Sequence, residues 1–463
     1  MFIPGPGAVF NDMIIRKHTI LFALGLALLL TTFGCSSKKG YQSNNISYIY
    51  DTKNLALRPD FYVYHVSDTL TRVYYRINSN NLLYMRNGEN SAYNAIFSLR
   101  YELVPSFENT AILDSGGFTV RDVEMNPPQK ALTGSFDIRI SEIPDNGELI
   151  LHLVMADLNR KISFENFLRV NKKNERGREN FLLTDTTGNV IFKNHVATGA
   201  PFLLTYNKIN AGSYYVSYYK RDFPLALPPY SSSAQESFSL EPDTTYLVNA
   251  DKPIILEENG FYHFRLDTTQ WAGFTVFSFY DQFPYIAKRL HLGPPLRYLT
   301  TKREYDKITE VINDPKALKE EVDKFWLERS GSVERSKVLV EAFYSRVQEA
   351  NIFFSSYLEG WKTDRGIIYV IYGPPDKVYR STSGEAWVYG DETSSLSYYF
   401  NFIKVSNPFT ANDYSLNRMT SYRYGWGQAI ESWRDGRIYN SKDIQREQDE
   451  SDQFRYQRAP YWY

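Results

Sequence analysis

Five charged residues and a tryptophan occur in the stretch YLEGWKTDRGIIYVIYGPPD, which runs from Tyr357 to Asp376. Asp364 and Asp376 are candidates for acid/base work if their surroundings separate their pKa values, with Arg365 as a neighbouring cation. The same residues also have structural uses. Asp364 can accept a hydrogen bond from the Gly366 amide in an Asx turn, and Arg365 can form an ion pair. We expect the structural roles, and keep a hydrolase that uses Asp364 as an alternative.

The glycines and prolines of this stretch predict how it folds. Gly360 suits the left-handed position that closes a helix, and Trp361 would then pack back on the last helical turns. The apolar run Ile367–Tyr372 is typical of a strand. A breaker segment follows and would stop the ladder pairing: Gly373, Pro374 and Pro375. We therefore predict a turn that joins a helix to a strand.

The rest of the chain carries no recognisable catalytic or metal motif. None of its histidines is spaced as HxH or HExxH, and GxSxG, P-loop and GxGxxG patterns are absent from the sequence. The formal net charge of -1 gives no electrostatic reason to expect a nucleic-acid partner. We predict no metal, no cofactor and no nucleic-acid ligand.

Tyrosine is abundant, with 37 residues. Four of these lie in one predicted strand, GSYYVSYYKRDF, beside a proline-rich segment: Tyr214, Tyr215, Tyr218 and Tyr219. Exposed tyrosines of this kind can line a glycan or peptide surface. The alternative, which we favour, is a sheet whose tyrosines cover neighbouring strands.

The first 35 residues predict a secretory leader. The basic patch Arg16, Lys17 and His18 precedes an uncharged run, Ile20–Phe33. This run is shorter than the ~20 residues that span a bilayer, so we favour a leader over an uncleaved membrane anchor. The only cysteine, Cys35, follows directly, and TTFGC resembles a bacterial lipoprotein cleavage box. We expect Cys35 to carry acyl chains that hold the protein on a membrane.

A short polar segment, residues 36–45, reads as a tether between the lipid and the fold. It contains no acidic run after Cys35, which favours a periplasm-facing anchor over display on the cell surface. With the only cysteine acylated, no disulfide is available, and stability must come from packed cores.

Short aromatic and β-branched runs separated by turns predict two mainly-β, immunoglobulin-like sandwich domains, over residues 46–172 and 178–285. Helical periodicity begins near Leu299. Asp314 and Pro315 predict the start of one helix, and the pair Ser330-Gly331 predicts its end. We expect three helices and a small antiparallel sheet in an α+β domain over residues 295–440, followed by a polar and aromatic tail over residues 441–463.

The motif GWKTDRG, with Gly360, Trp361, Thr363 and Asp364 at the defining positions, resembles the GWxTD signature. The resemblance extends through DKFWLERSG, FYSRV and YGPPD, and covers residues 299–399. It implies an exported, often lipidated, multidomain envelope protein with β-rich domains ahead of the signature domain. It implies no established reaction.

These features together predict a lipoprotein anchored to the outer membrane. We expect a non-enzymatic accessory or scaffold subunit of an outer-membrane-associated complex, with outer-membrane protein assembly or export as one setting. Its partners would be the membrane itself and other envelope proteins. The alternatives are glycan or peptide binding through the tyrosine-rich strand, and hydrolysis at Asp364.

Overall fold

The computed structural model describes residues 40–446, except for 53–55, 141–142, 144–146, 209–211, 221–222, 224, 234–238, 393–396 and 445. The described residues do not include the predicted leader, its predicted acylation site Cys35, or residues 447–463 of the predicted tail. The described residues share one unit that begins at Gly40. This unit is rich in antiparallel sheet, as predicted, and carries helices towards its C-terminal end.

Seven strands form two antiparallel sheets in the first part of the unit. Their bounds are β1 Asp60–His65, β2 Leu70–Asn78, β3 Tyr93–Val104, β4 Asp114–Glu124, β5 Ala131–Arg139, β6 Glu148–Asp157 and β7 Ile162–Asn171. One sheet has the order β1-β2-β5 and the other β4-β3-β6-β7. Their alternating apolar residues meet in one core that includes Val73, Phe97, Ile138 and Leu151. A two-layer arrangement follows from this shared core.

Six strands form the next part. Their bounds are β8 Phe181–Asp185, β9 Phe202–Tyr206, β10 Ser213–Tyr219, β11 Thr244–Asn249, β12 Gly260–Arg265 and β13 Phe274–Ser278. A ladder of β8 and β9 and a sheet ordered β11-β10-β12-β13 share a second core, with Phe181, Phe202, Val216 and Phe264. Tyr62 of β1 also belongs to this core, and its hydroxyl donates a 2.8 Å hydrogen bond to the Phe181 carbonyl.

Five α-helices and four strands are described in the C-terminal part. The helices are α1 Lys302–Glu310, α2 Pro315–Ser330, α3 Val333–Phe354, α4 Asp364–Tyr372 and α5 Tyr422–Arg434. The strands β14 Lys377–Arg380, β15 Gly384–Tyr389, β16 Tyr398–Lys404 and β17 Tyr414–Leu416 make an antiparallel sheet in that order. The three predicted helices and the small sheet are present, but α4 and α5 were not predicted.

The local signals for α2 are confirmed. The Asp314 side chain accepts hydrogen bonds from the amides of Lys316 and Ala317, and Pro315 is the first helical residue. The helix ends at Gly331, whose φ of 70° is left-handed.

The predicted strand Ile367–Tyr372 is wrong, because these residues belong to α4. Every residue of α4 is buried, so its apolar residues occur on all faces of the helix. A continuous apolar run of this kind has no periodicity that separates a buried helix from a buried strand. The turn therefore joins two helices, α3 and α4.

The predicted left-handed cap at Gly360 is also wrong. Helix α3 ends at Phe354, and Gly360 begins a 3₁₀ turn, Gly360–Lys362, with no positive φ. A Cβ at Gly360 would lie 1.8 Å from the Ala350 carbonyl oxygen, so the glycine is required for backbone contact with α3. Trp361 is buried, as expected, and lies near Tyr298 with 6.2 Å between ring centroids.

The described part of the predicted tether packs on the fold. The Tyr41 hydroxyl donates to Glu102 at 2.5 Å, and the Ile46 amide donates to the Val378 carbonyl at 2.9 Å. The Asn45 side chain accepts from the Val378 amide at 3.0 Å. Tyr41 and Asn45 of the predicted tether thus have specific partners in β3 and β14, which composition alone did not indicate.

Substitution of Gly360 should be severe. In Gly360→Ala the added methyl would overlap the backbone of α3, and we expect a loss of about 3 kcal/mol or more in unfolding free energy. The matched control is Gly427→Ala in α5, where a Cβ meets nothing within 4 Å and alanine favours the helix by up to about 1 kcal/mol. Urea unfolding of the two full-length variants measures the difference. Equal midpoints would contradict this account of the contact.

Candidate functional site

The motif turn is built around two glycines and a threonine. Thr363 caps α4, because its Oγ1 accepts a 3.1 Å hydrogen bond from the Gly366 amide and donates a 2.7 Å bond to the Gly360 carbonyl. A Cβ at Gly366 would lie 1.9 Å from that same carbonyl oxygen. The glycines let the backbone close on itself, and the threonine fixes the start of α4.

Asp364 does not make the predicted Asx bond to Gly366, since Thr363 occupies that donor. Its carboxylate is 4% exposed and accepts a 2.7 Å bond from the Leu416 amide. Arg418 completes the site with a 2.5 Å ion pair. Burial raises the pKa of Asp364, and Arg418 opposes that shift. The residue thus fastens the start of α4 to the end of β17 and to Arg418 beyond it.

Arg365 forms the ion pair that the sequence predicted, and its partner is Glu385 of β15. Its Nη1 lies 3.4 Å from Glu385 Oε1. Its Nη2 donates to the Asn412 carbonyl at 3.0 Å, and its guanidinium lies 3.9 Å from the centroid of the Tyr414 ring. Only 3% of the Arg365 side chain is exposed. The cation is therefore held by charge, hydrogen bonds and an aromatic face together.

Glu385 is the centre of this cluster. Its Oε1 also pairs with Arg380 at 2.8 Å. Its Oε2 accepts from the Tyr50 hydroxyl and from the indole Nε1 of Trp387, each at 3.0 Å. Burial alone would raise the pKa of Glu385, but Arg380 and Arg365 outweigh it and lower this pKa to about 2. Glu385 is a carboxylate that the protein holds in its charged form.

Sequence reasoning missed Glu385. A usable signal was present, because Glu385 and Trp387 are two residues apart in a strand and must share a face. A buried tryptophan on that face would place the carboxylate inside as well. Its cationic partners could not be identified without the fold.

The second carboxylate of the opening motif lies elsewhere. Asp376 is exposed and accepts from the Gly390 amide at 2.7 Å and from Ser441 Oγ at 2.9 Å. It shares no bonding partner with Asp364. Gly373 has a φ of 86°, which confirms that this glycine adopts an unusual backbone conformation. Pro374 and Pro375 follow the end of α4.

The four tyrosines of β10 do not form an exposed surface. Tyr214, Tyr218 and Tyr219 are buried, and their hydroxyls donate to the carbonyls of Leu204, Asn259 and Leu240. Tyr215 is the one of the four that is half-exposed. The favoured interpretation, a sheet in which tyrosines cover their neighbours, fits these contacts: the Tyr218 and Tyr262 rings stack at 4.7 Å.

A cavity of about 750 Å³ adjoins the Glu385 cluster. It lies between strands of the first β-rich part, the segment that joins β8 to β9, and the C-terminal part. Arg365, Arg380 and Glu385 belong to its lining. Asp364 does not line it. Cavities of this size are typical of sites for small molecules.

The described residues contain no group of three or more His, Cys, Asp or Glu side chains placed to hold a metal ion. Among these same residues, no helix is both long enough and apolar enough to cross a membrane.

Removal of the charge on Glu385 should be strongly destabilising. In Glu385→Gln, two buried guanidiniums lose their carboxylate, and we expect a loss of about 3–5 kcal/mol in unfolding free energy. The control is Asp323→Asn, which breaks an exposed pair with Lys319 on α2 and should cost less than about 1 kcal/mol. Urea titration at neutral pH compares them. A change below 1 kcal/mol for both variants would contradict the role of the cluster.

The Glu385 carboxylate also makes the unfolding free energy depend on pH, and its lowered pKa fixes the direction of that dependence. The folded pKa of about 2 lies below the ordinary value of 4.5, so its stabilisation is complete above pH 4.5 and is lost as the pH falls towards 2. The shift corresponds to about 3 kcal/mol. The stability gap between the wild type and Glu385→Gln should therefore narrow between pH 5 and pH 3 in urea titrations. A gap that stays constant would show that Glu385 has an ordinary pKa.

A comparison with protein families identifies a domain in this chain. Residues 260–435 match the GWxTD domain family. No curated protein matches the chain. The match begins at β12, ahead of the predicted start near residue 295, and contains the motif turn, Glu385 and Arg418. The chain therefore carries a GWxTD domain over residues 260–435.

Proposed function

We propose that this protein is a lipid-anchored envelope protein that acts as a non-enzymatic accessory or scaffold subunit of an outer-membrane-associated complex. Outer-membrane protein assembly or export is one setting. The observation that carries the proposal is the internal use of the motif charges: Asp364 binds Arg418, and Arg365 binds Glu385. The signature residues thus hold the domain together. The leader and Cys35 in TTFGC support the anchor, and the absence of an acidic run after Cys35 supports a periplasmic orientation.

The proposal includes a finer assignment of the architecture. We assign the two β-rich parts to immunoglobulin-like sandwiches over residues 46–172 and 178–285, and the C-terminal part to an α+β domain over residues 295–440. The separate cores of the two strand groups support this assignment. Rigid sandwiches in series are suited to holding partners at a fixed distance from a membrane.

Small-molecule or glycan binding is the second candidate, and a specific observation favours it: the 750 Å³ cavity beside the Glu385 cluster. Binding in this cavity would use a different site from the predicted tyrosine surface, because none of the four tyrosines lines the cavity. Hydrolysis at Asp364 has less support, because that carboxylate is occupied by Arg418 and lies outside the cavity lining.

Labelling with an alkyne-bearing palmitate analogue tests the anchor. The wild-type chain should incorporate the label and fractionate with membranes, because Cys35 is the only cysteine that could be acylated. Cys35→Ser should abolish the label, and Ser36→Ala should retain it. Equal labelling of both variants, or an unlabelled wild type in the soluble fraction, would contradict the anchor.

Co-purification with other envelope proteins tests the scaffold role separately from the anchor. After gentle solubilisation, the wild-type chain should co-purify in fixed proportion with an integral outer-membrane protein. Migration of the chain alone on native gels would contradict this role.

A further inference from the structure

The cavity next to Glu385 has an unbalanced charge. Its lining contains six cationic side chains and three carboxylates: Arg58, Arg169, Arg178, Lys193, Arg365 and Arg380 against Asp60, Glu179 and Glu385. One of the carboxylates, Asp60, is also paired with Arg76, which is not part of the lining. The cavity therefore presents an excess of positive charge.

Part of this excess comes from the buried cluster. Arg365 and Arg380 share a single carboxylate oxygen, Glu385 Oε1, at 3.4 and 2.8 Å. One negative charge thus faces two positive charges. Arg380 donates through Nε to Glu385 and through Nη2 to Tyr50, and no described residue accepts a hydrogen bond from its Nη1. The Arg380 side chain is 15% exposed and belongs to the cavity lining.

Two exposed cations complete the charged side of the cavity. Arg178 follows β7 and Lys193 follows β8, and both belong to the lining. Neither makes an ion pair with a described residue, whereas Arg169 is held by Glu148 at 3.0 Å. Guanidinium and ammonium groups without an internal partner are the groups that recognise carboxylates and phosphates.

About half of the uncharged residues that line the cavity are aromatic. They include Phe61, Phe107, Phe164, Phe167 and Phe353. Aromatic walls with a few polar groups are typical of sites that take a small organic molecule, and the volume is within the usual range of such sites.

We propose that this cavity binds a small organic anion, whose carboxylate or phosphate is held by Arg178, Lys193 and Arg380 and whose flat or apolar body lies against the phenylalanines. The site lies beside the motif turn and shares Arg365 with it, and its existence does not depend on the scaffold role. The anion is either a free small molecule or the charged group of a larger one, since both present the same chemistry.

Binding of pyranine, a flat aromatic trisulfonate, tests the site by fluorescence anisotropy on the full-length chain in neutral detergent. The double variant Arg178→Gln/Lys193→Gln should bind it at least about tenfold more weakly, because it removes two charge-assisted hydrogen bonds and the loss of either one is enough for such a factor. The matched control Arg303→Gln/Lys316→Gln removes the same charge from exposed positions on α1 and α2 and should leave the affinity unchanged.

Competition identifies the chemistry. Glucuronate or glucose 6-phosphate should displace the probe, and glucose should not. Displacement by vesicles of phosphatidylglycerol but not of phosphatidylcholine would assign the anion to a lipid headgroup. The proposal is overturned if the wild type does not bind pyranine, if both double variants bind it equally, or if glucose competes as well as its charged relatives. Thermal melts of the two double variants confirm that both are folded.

Discussion

The GWxTD domain depends on a carboxylate buried between two guanidiniums. Removing three charges from water is costly, and the attraction among them compensates only when geometry and hydrogen bonds are fixed. Glu385 meets this condition with Arg365, Arg380, Tyr50 and Trp387 as donors. Because these donors come from α4, from β14 and β15 of the sheet and from the segment ahead of β1, one interaction sets the relative positions of all three. Arg365 of the motif is one of the two guanidiniums that hold this carboxylate.

The largest apolar core also joins parts of the chain that are far apart in sequence. Ile46 and Tyr50, near the start of the described chain, pack in one cluster with Trp326, Phe343 and Trp387 of the C-terminal part. The cluster also takes in residues of β3, β6 and β7, including Val104 and Phe167. The N-terminal segment is therefore part of the GWxTD fold in space although it lies far from it in sequence. Its apolar residues explain why a segment that begins with tether-like composition packs against the fold.

Local signals were predictable, and long-range partners were not. The cap at Asp314, the end of α2 at Gly331 and the unusual φ of Gly373 follow from residue type and immediate neighbours. Helix α4 was mistaken for a strand because its apolar residues surround the helix, which removes the periodicity that distinguishes the two. Gly360 was recognised as special, but the reason, contact with Ala350, is a property of packing. The partner of Arg365 lies in another element, so no spacing rule leads to it.

Residues 45 and 46 are hydrogen-bonded to β14, and this contact, which we call the clasp, has a mechanical consequence. Ile46 and Asn45 exchange hydrogen bonds with both backbone groups of Val378, and Tyr50 is fastened to Glu385 a few residues further on. A pull applied at Gly40 would load the bond of Tyr41 to β3 and then the clasp on β14 before any force reached β1 at Asp60. Tension would thus be divided between the first group of strands and the C-terminal part, instead of peeling β1 from the edge of its sheet.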